Sequence, residues 1–397
     1  MIKKMAEVSD ELKVQNAEKE IIEDVLREHL NEGHAIGLWR VPGTTKKNLI
    51  VSTEGVQWLD DLTIEDLGTG FAFAPFDADK KKIFLKANVS YSIENGELVP
   101  IVSNVPYDIE NNAKKLGAVP FYPTKSYEGA DAAQNDFTAI VEKAIEQIEA
   151  GNFEKLVPSR CKQIELPNGF DLVDTFNTLC AKYPNAFVSL VSAREIGTWL
   201  GASPELLVSV DDQMAFKTVA VAGTQVLPPQ SNIKHVAWTQ KEIEEQALVS
   251  RYIVNCFKKI RLREYIELGP KTWKAGNLAH LKTEFEVDMN ATNFPQLGSV
   301  MLKLLHPTSA VCGMPREESI AFLKSNESFD RSFYSGYLGP INFENKTSLF
   351  VNLRCMQWCG DKAILYAGAG VTIDSIPEKE WEETEMKMNT LLQVIQS

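Results

Sequence analysis

The chain has 397 residues, 44 % hydrophobic and 24 % charged, with a formal net charge of −13 at pH 7. That length buries a large core, as one big domain or as two to three smaller ones. The acidic balance argues against nucleic acid and against a basic membrane footprint, and no apolar run reaches bilayer-spanning length. The amino-terminal stretch turns acidic at Glu7 and Asp10 before any apolar run, so it does not read as a signal peptide. The 6 cysteines form no CxxC pairs and read as packed thiols in a reducing, cytoplasmic compartment.

In chain order, residues 6–30 read as a charged amphipathic helix with Ile21, Ile22, Val25 and Leu26 turned inward. Alternation predicts strands over 35–41, 47–52, 70–74 and 82–90. Residues 95–125, with Pro100, Pro106, Pro120 and Pro123, read as loop-rich and as a candidate sub-domain boundary. Phe137, Ile140, Val141, Ala144 and Ile148 set a helical stripe that Gly151 and Asn152 end. Next come a strand with Leu156 and Val157, a helix over 173–183, and strands over 187–191, 199–200, 204–210 and 214–224. A long helix spans 239–262. Strand-like sequence to Val287, two further helices, strands over 348–357 and 362–371 and a final helix complete the chain. Strands arrive in groups, which predicts an α+β fold, large and layered, with mostly antiparallel sheets and flanking helices.

Two acidic helices carry the candidate chemistry. In the last one, Ser375 and Glu378 have capping-box spacing and Pro377 suits the first turn. Glu380, Glu383 and Lys387 then share a face bordered by Leu391 and Val394. Gly368 and Gly370 precede them and offer bare backbone. The row is either a solvated helix face or a site for a small anion held by amides, a lysine and a carboxylate-bound metal. In the earlier helix, Glu242 is either the capping partner of Thr239 or a ligand, while Glu245 falls within the buried arc of Leu248, Val249, Tyr252, Cys256 and Ile260. If the two rows meet, unit charges about 4 Å apart at an effective dielectric near 20 repel by roughly 4 kcal/mol. Protonation or a hard cation must relieve this, and oxygen-only ligands favour Mg²⁺.

Several blocks, taken together, resemble the chorismate-utilising enzymes, and among them most closely the isochorismate synthases. They are Phe153 to Arg160, Ser203-Pro-Glu-Leu-Leu207, Val221-Ala-Gly-Thr224, Lys241-Glu-Ile-Glu-Glu245, His306 to Pro315, Phe329 to Gly336, Asn352-Leu-Arg354 and the tail from Leu365. They cover about residues 130–392. The first third matches loosely, through Gly70-Phe-Ala-Phe-Ala-Pro-Phe-Asp77. The resemblance implies an anthranilate synthase component I-like fold in one large domain, 1–397, with a variable part over 1–129 and a chorismate-binding catalytic part over 130–392. It implies a Mg²⁺-dependent isomerase in which water adds at C2 of chorismate while the C4 hydroxyl leaves.

By this resemblance Lys155 is the base and Glu205 the acid. Glu245 and Glu383 are direct Mg²⁺ ligands, and Glu242 and Glu380 act through water. Arg354 and Tyr334 hold the enolpyruvyl carboxylate, and Lys387 with the amides of Gly368 and Gly370 completes the anion site. Gly223 and Thr224 line the ring, His280 lies near the reacting carbons, and Thr218 and Thr308 support. Lys155 stands where anthranilate synthases typically carry glutamine, and Ala222 where aminodeoxychorismate synthases often carry lysine. Ala310 and Val311 match the small apolar pair of isochorismate synthases rather than the threonine version of salicylate synthases, which go on to eliminate pyruvate. Salicylate synthase and an inactive chorismate-binding relative are the alternatives. The implied partner is a small molecule, chorismate, with no nucleic acid and no membrane, and a monomer is the simplest assembly. The product would feed menaquinone or siderophore synthesis.

Each assigned role makes a physical demand. An ordinary lysine, with a pKa near about 10.4, is neutral in only about one molecule in a thousand at pH 7. Burial beside Leu156 and Val157, or a nearby cation, is expected to lower that of Lys155. Glu205, flanked by Pro204 and two leucines, is expected to be raised by desolvation so that it can donate.

Overall fold

The computed structural model describes residues 2–102, 117–125, 131, 133–227, 233–275 and 278–396. Helix α1 (Ile2–Asn31) leads into strands β1 (Ala35–Arg40), β2 (Lys47–Ser52), β3 (Gln57–Leu59), β4 (Gly70–Ala74), β5 (Lys82–Lys86), β6 (Val89–Glu94) and β7 (Glu97–Val102). Helix α2 (Gln134–Glu149), β8 (Lys155–Leu156), β9 (Ser159–Glu165), α3 (Leu172–Lys182), β10 (Phe187–Ala193), β11 (Gly197–Ser203), β12 (Leu206–Val210) and β13 (Ala215–Val226) follow. The chain continues through α4 (Gln240–Lys259), β14 (Ile266–Ala275), β15 (Leu278–Asp288), α5 (Leu297–Leu305), β16 (Gly313–Met314) and α6 (Arg316–Asn326). It ends with β17 (Tyr337–Ile341), β18 (Thr347–Val351), β19 (Cys355–Trp358), β20 (Lys362–Gly368) and α7 (Pro377–Ile395).

These strands build two nine-stranded sheets, ordered β7-β6-β2-β1-β10-β11-β19-β20-β9 and β14-β15-β13-β12-β18-β17-β4-β5-β3. A two-stranded sheet pairs β16 with β8. The large sheets pack face to face through Trp39, Phe187, Trp199 and Tyr366 on one and Phe71, Phe73 and Phe350 on the other. Phe187 and Phe350 stack at 4.2 Å across this seam. The outer face of the first sheet is covered by α1, α3 and α7, and that of the second by α4, α5 and α6. Central strands are therefore apolar on both faces: β10 alternates Phe187 and Val191 toward the seam with Val188 and Leu190 toward helices. The predicted layered α+β fold is the observed one. No helix among the described residues is long and apolar enough to cross a membrane.

Strands from the first hundred residues are woven into both large sheets, β1 against β10 and β4 against β17. Helix α1 buries Ile22, Val25 and Leu26 as expected. In the expected loop-rich segment, β7 occupies Glu97–Val102, and residues 103–116 lie outside the described residues.

Three predicted elements divide differently. The strand over 82–90 is two strands, β5 and β6. The strand expected over 204–210 starts at Leu206, because Pro204 and Glu205 carry the chain from β11 in the first sheet to β12 in the second. The strand expected over 348–357 breaks into β18 and β19, in different sheets, at Arg354, whose φ is 49°. These two crossings lie side by side. Ser203 Oγ donates to Val351 O at 2.5 Å, Val351 N donates to Glu205 O at 3.0 Å, and Ala202 N donates to Arg354 O at 3.0 Å. The Ser375–Glu378 capping box does not form. Ile376 is the residue before the helix, Pro377 opens it, and Ser375 Oγ instead accepts from Thr372 N at 3.0 Å.

Candidate active site

One cavity opens where the two crossings, the end of β20 and helices α4 and α7 meet. Its wall includes Lys155, Glu205, Gly223, Thr224, Glu245, His280, Ala310, Val311, Tyr334, Arg354, Gly368, Gly370, Glu383 and Lys387. Residues named from motifs scattered over more than two hundred positions thus share one space. Glu242 and Glu380 are absent from that wall.

Lys155 is 3 % exposed and is held by the two-stranded sheet, where Met314 pairs opposite it. Its Nζ lies 3.0 Å from Glu245 Oε1. The burial expected from Leu156 and Val157 is present, but the charged neighbour is a carboxylate rather than a cation. Gly370 makes this approach possible, since a Cβ there would overlap Glu245 Oε1 and crowd the lysine side chain. Glu205 is 5 % exposed at the first crossing. Burial pushes its carboxyl up to about 7, with Lys155, Lys387 and Thr308 pulling the other way.

The acidic rows of α4 and α7 do converge. What meets their charge is a set of lysines: Lys155 on Glu245, Lys387 on Glu383 at 2.6 Å, and Lys241 on Glu380 at 2.5 Å. Burial works against the Lys241 ammonium, but Glu380, Glu245 and Glu383 around it hold its pKa above the ordinary value. Burial also acts on Glu383, yet Lys387, Lys241 and Arg354 bring it below the usual carboxylate range. Glu380, 1 % exposed, is raised by burial and by Glu383 despite Lys241. Its Oε2 is buried without a hydrogen-bond partner. Glu242 takes the capping alternative: its Oε2 accepts from Thr239 N at 2.7 Å and from Gln225 Nε2 at 2.8 Å. With Glu245 and Glu383 on the cavity wall and an unsatisfied Glu380 oxygen behind them, the donors are all hard carboxylate oxygens. They suit Mg²⁺.

Arg354 has no carboxylate within ion-pair distance among the described residues. Its Nη1 makes only 3.5 Å contacts, to Lys387 O and Thr390 Oγ1, so the guanidinium fork is open to a carboxylate. Its left-handed backbone is the kind of strain that a functional position retains. Tyr334 is 3 % exposed and stacks on Tyr366 at 5.3 Å. Gly368 offers its carbonyl, which accepts from Lys387 Nζ at 2.7 Å. The Gly223–Thr224 element is a bulge in β13, with Gly223 at φ 68°. Gly223 O contacts His280 Nδ1 at 2.9 Å. A carbonyl can only accept, so Nδ1 carries the proton and Nε2, buried and otherwise unpartnered, presents a lone pair. Burial lowers His280 to about 3, which keeps it neutral. Thr218 donates to Leu207 O at 2.7 Å and ties β13 to β12 rather than lining the cavity.

The sequence reading missed the group that clamps the cavity wall. Arg331 and Glu327 are buried and paired at 2.5 Å and 2.8 Å. Arg331 also donates to Val311 O and Val157 O, both at 2.7 Å, while Glu327 Oε1 accepts from Ser159 N at 2.8 Å. One ion pair thus fixes three loops around the site. Its i, i+4 spacing was visible in the sequence, but the carbonyls it reaches were not.

Comparison with known proteins agrees with this geometry. Residues 76–396 match the family model described as chorismate binding enzyme. The isochorismate synthase EntC of Escherichia coli is 28 % identical over 267 residues, 66 % of this chain and 67 % of that protein. The vibriobactin-specific isochorismate synthase of Vibrio cholerae is 27 % identical over 327 residues, 81 % of this chain and 78 % of that one. The solved structure of MenF, the menaquinone-specific isochorismate synthase of Escherichia coli, superposes with a TM-score of 0.72 at 20 % identity, covering 92 % of this chain and 89 % of the other. The chain belongs to the chorismate-binding enzyme family.

Proposed function

We propose that the protein is an isochorismate synthase, a hydroxymutase that interconverts chorismate and isochorismate. The observation that carries this reading is the presence of a buried lysine and a buried, raised carboxylic acid on the wall of one cavity. Lys155 Nζ takes a proton from water as its oxygen bonds to C2. Both ring double bonds shift, C1=C2 to C1=C6 and C5=C6 to C4=C5, the C4–O bond breaks, and Glu205 gives its proton to the departing hydroxyl, which leaves as water. Atoms and charge balance, and the return reaction exchanges the two roles.

Arg354 and Tyr334 receive the enolpyruvyl carboxylate, with Lys387 completing the anion pocket. Thr224 lines the ring, and the His280 Nε2 lone pair accepts from a substrate hydroxyl. Glu245 and Glu383 would hold Mg²⁺, with Glu380 behind them. Bound there, the ion would supply counter-charge for the ring carboxylate, leaving Lys155 to act as the base. Ala310 and Val311 present no hydroxyl to assist pyruvate elimination.

Incubation with chorismate and Mg²⁺, followed by chromatography, is expected to give isochorismate. Salicylate and pyruvate as main products would replace this reading with salicylate synthase, and binding without turnover would make the chain a non-catalytic relative. Glu205 is checked separately by infrared titration. Its neutral-acid carbonyl band should disappear with a midpoint near about 7 as pH rises and be missing from Glu205→Gln. A band already lost at clearly acidic pH would remove Glu205 as the proton donor.

A further inference from the structure

We infer that the end of α1 and the turn into β1 form a separate binding site for a tetrahedral transition-metal ion of the Zn²⁺ class, held by His29, Glu32 and His34. One ligand atom from each of these side chains lies within 4.8 Å of the other two. The two Nδ1 atoms are 3.3 Å apart, and Glu32 Oε2 is 3.5 Å from His34 Nδ1. Zn–N bonds of about 2.0–2.1 Å place tetrahedral ligand atoms roughly 3.3–3.4 Å from each other. The two measured separations match edges of a zinc-sized tetrahedron, the third pair of ligand atoms lies within 4.8 Å, and a fourth corner is left for water.

Local structure explains why the three converge. His29 is in the last turn of α1, and Gly33 at φ 86° reverses the chain so that His34 N donates back to His29 O at 3.1 Å. Tyr122 pins the turn by donating to Leu30 O at 3.0 Å. His29 is buried. Cations are also favoured at a helix C-terminus. Two imidazoles and a single carboxylate select zinc, cobalt, nickel or copper over Mg²⁺ or Ca²⁺, which need more oxygen donors.

Untagged full-length protein titrated with Co²⁺ in excess Mg²⁺ tests the site, because Mg²⁺ occupies the carboxylate site and only tetrahedral Co²⁺ gives intense visible bands. One equivalent is expected to bind and to be displaced by Zn²⁺. The bands should vanish in His34→Ala, and Glu32→Gln should weaken binding at least about ten-fold, with chorismate turnover unchanged in both. Absence of tetrahedral bands in the unmodified protein, or equal bands in His34→Ala, would overturn the assignment. His34 is nearer the surface than His29, so the outcome does not depend on a buried replacement that fails to fold.

Discussion

Replacing Lys155 with alanine is expected to lower kcat by about 10²- to 10⁴-fold, the range for loss of a positioned general base. That corresponds to about 3–5 kcal/mol of barrier. The fold should survive, since the side chain stands on a short two-stranded pair and its ion-pair partner among the described residues is Glu245. A second consequence separates a base from a packing residue. Lys155 neutralises a carboxylate proposed to bind Mg²⁺, so its removal takes away a competitor and should tighten Mg²⁺ binding while turnover collapses. Chorismate affinity, measured calorimetrically, should change far less than kcat. A variant that turns over within ten-fold of the parent rules out Lys155 as the base.

The largest expected loss of stability comes from Arg331→Met. The replacement leaves Glu327, itself 4 % exposed at the side chain, without its ion-pair partner. Breaking a buried pair from one side costs about 3–5 kcal/mol. The carbonyls of Val157 and Val311 also lose their donor, and unsatisfied buried groups cost about 1–3 kcal/mol each. Against a typical total of about 5–15 kcal/mol this is severe. The denaturation midpoint should fall sharply with little change in slope. Arg331→Met combined with Glu327→Leu should recover part of the loss, because no uncompensated charge remains. A single variant within about 1 kcal/mol of the parent would mean that the clamp is not a clamp.

Much of the site was legible because several short blocks, taken together and in order, resemble those of the chorismate-utilising enzymes. Lys155, Glu205 and Arg354 were named through that resemblance, Glu245 and Glu383 from helical spacing as well, and all five sit on one wall. What the sequence hid was pairing over long separations. Nothing near Lys155 shows that its neighbour is Glu245, ninety residues on; burial or a nearby cation was expected, and burial is found, beside a carboxylate. The acidic rows looked in need of a metal, yet lysines meet the same charge. Glu242 had two readings of equal local merit, and the hydrogen bonds to Thr239 and Gln225 chose the cap. The fold class followed from grouped strands, but the passages over 204–210 and 348–357 read as continuous strands. Apolar residues continue through a crossing between sheets, so periodicity does not register it.

The two adjoining crossings bear on what the catalytic apparatus demands of the polypeptide. The Glu205 carboxyl hangs on one junction, the Arg354 guanidinium on the other, and the Lys155 amine on a third, smaller ribbon. No contiguous fragment owns a working subset of these groups. Any intermediate with one layer assembled and the other molten would be chemically silent, so activity serves as a reporter of the entire tertiary architecture.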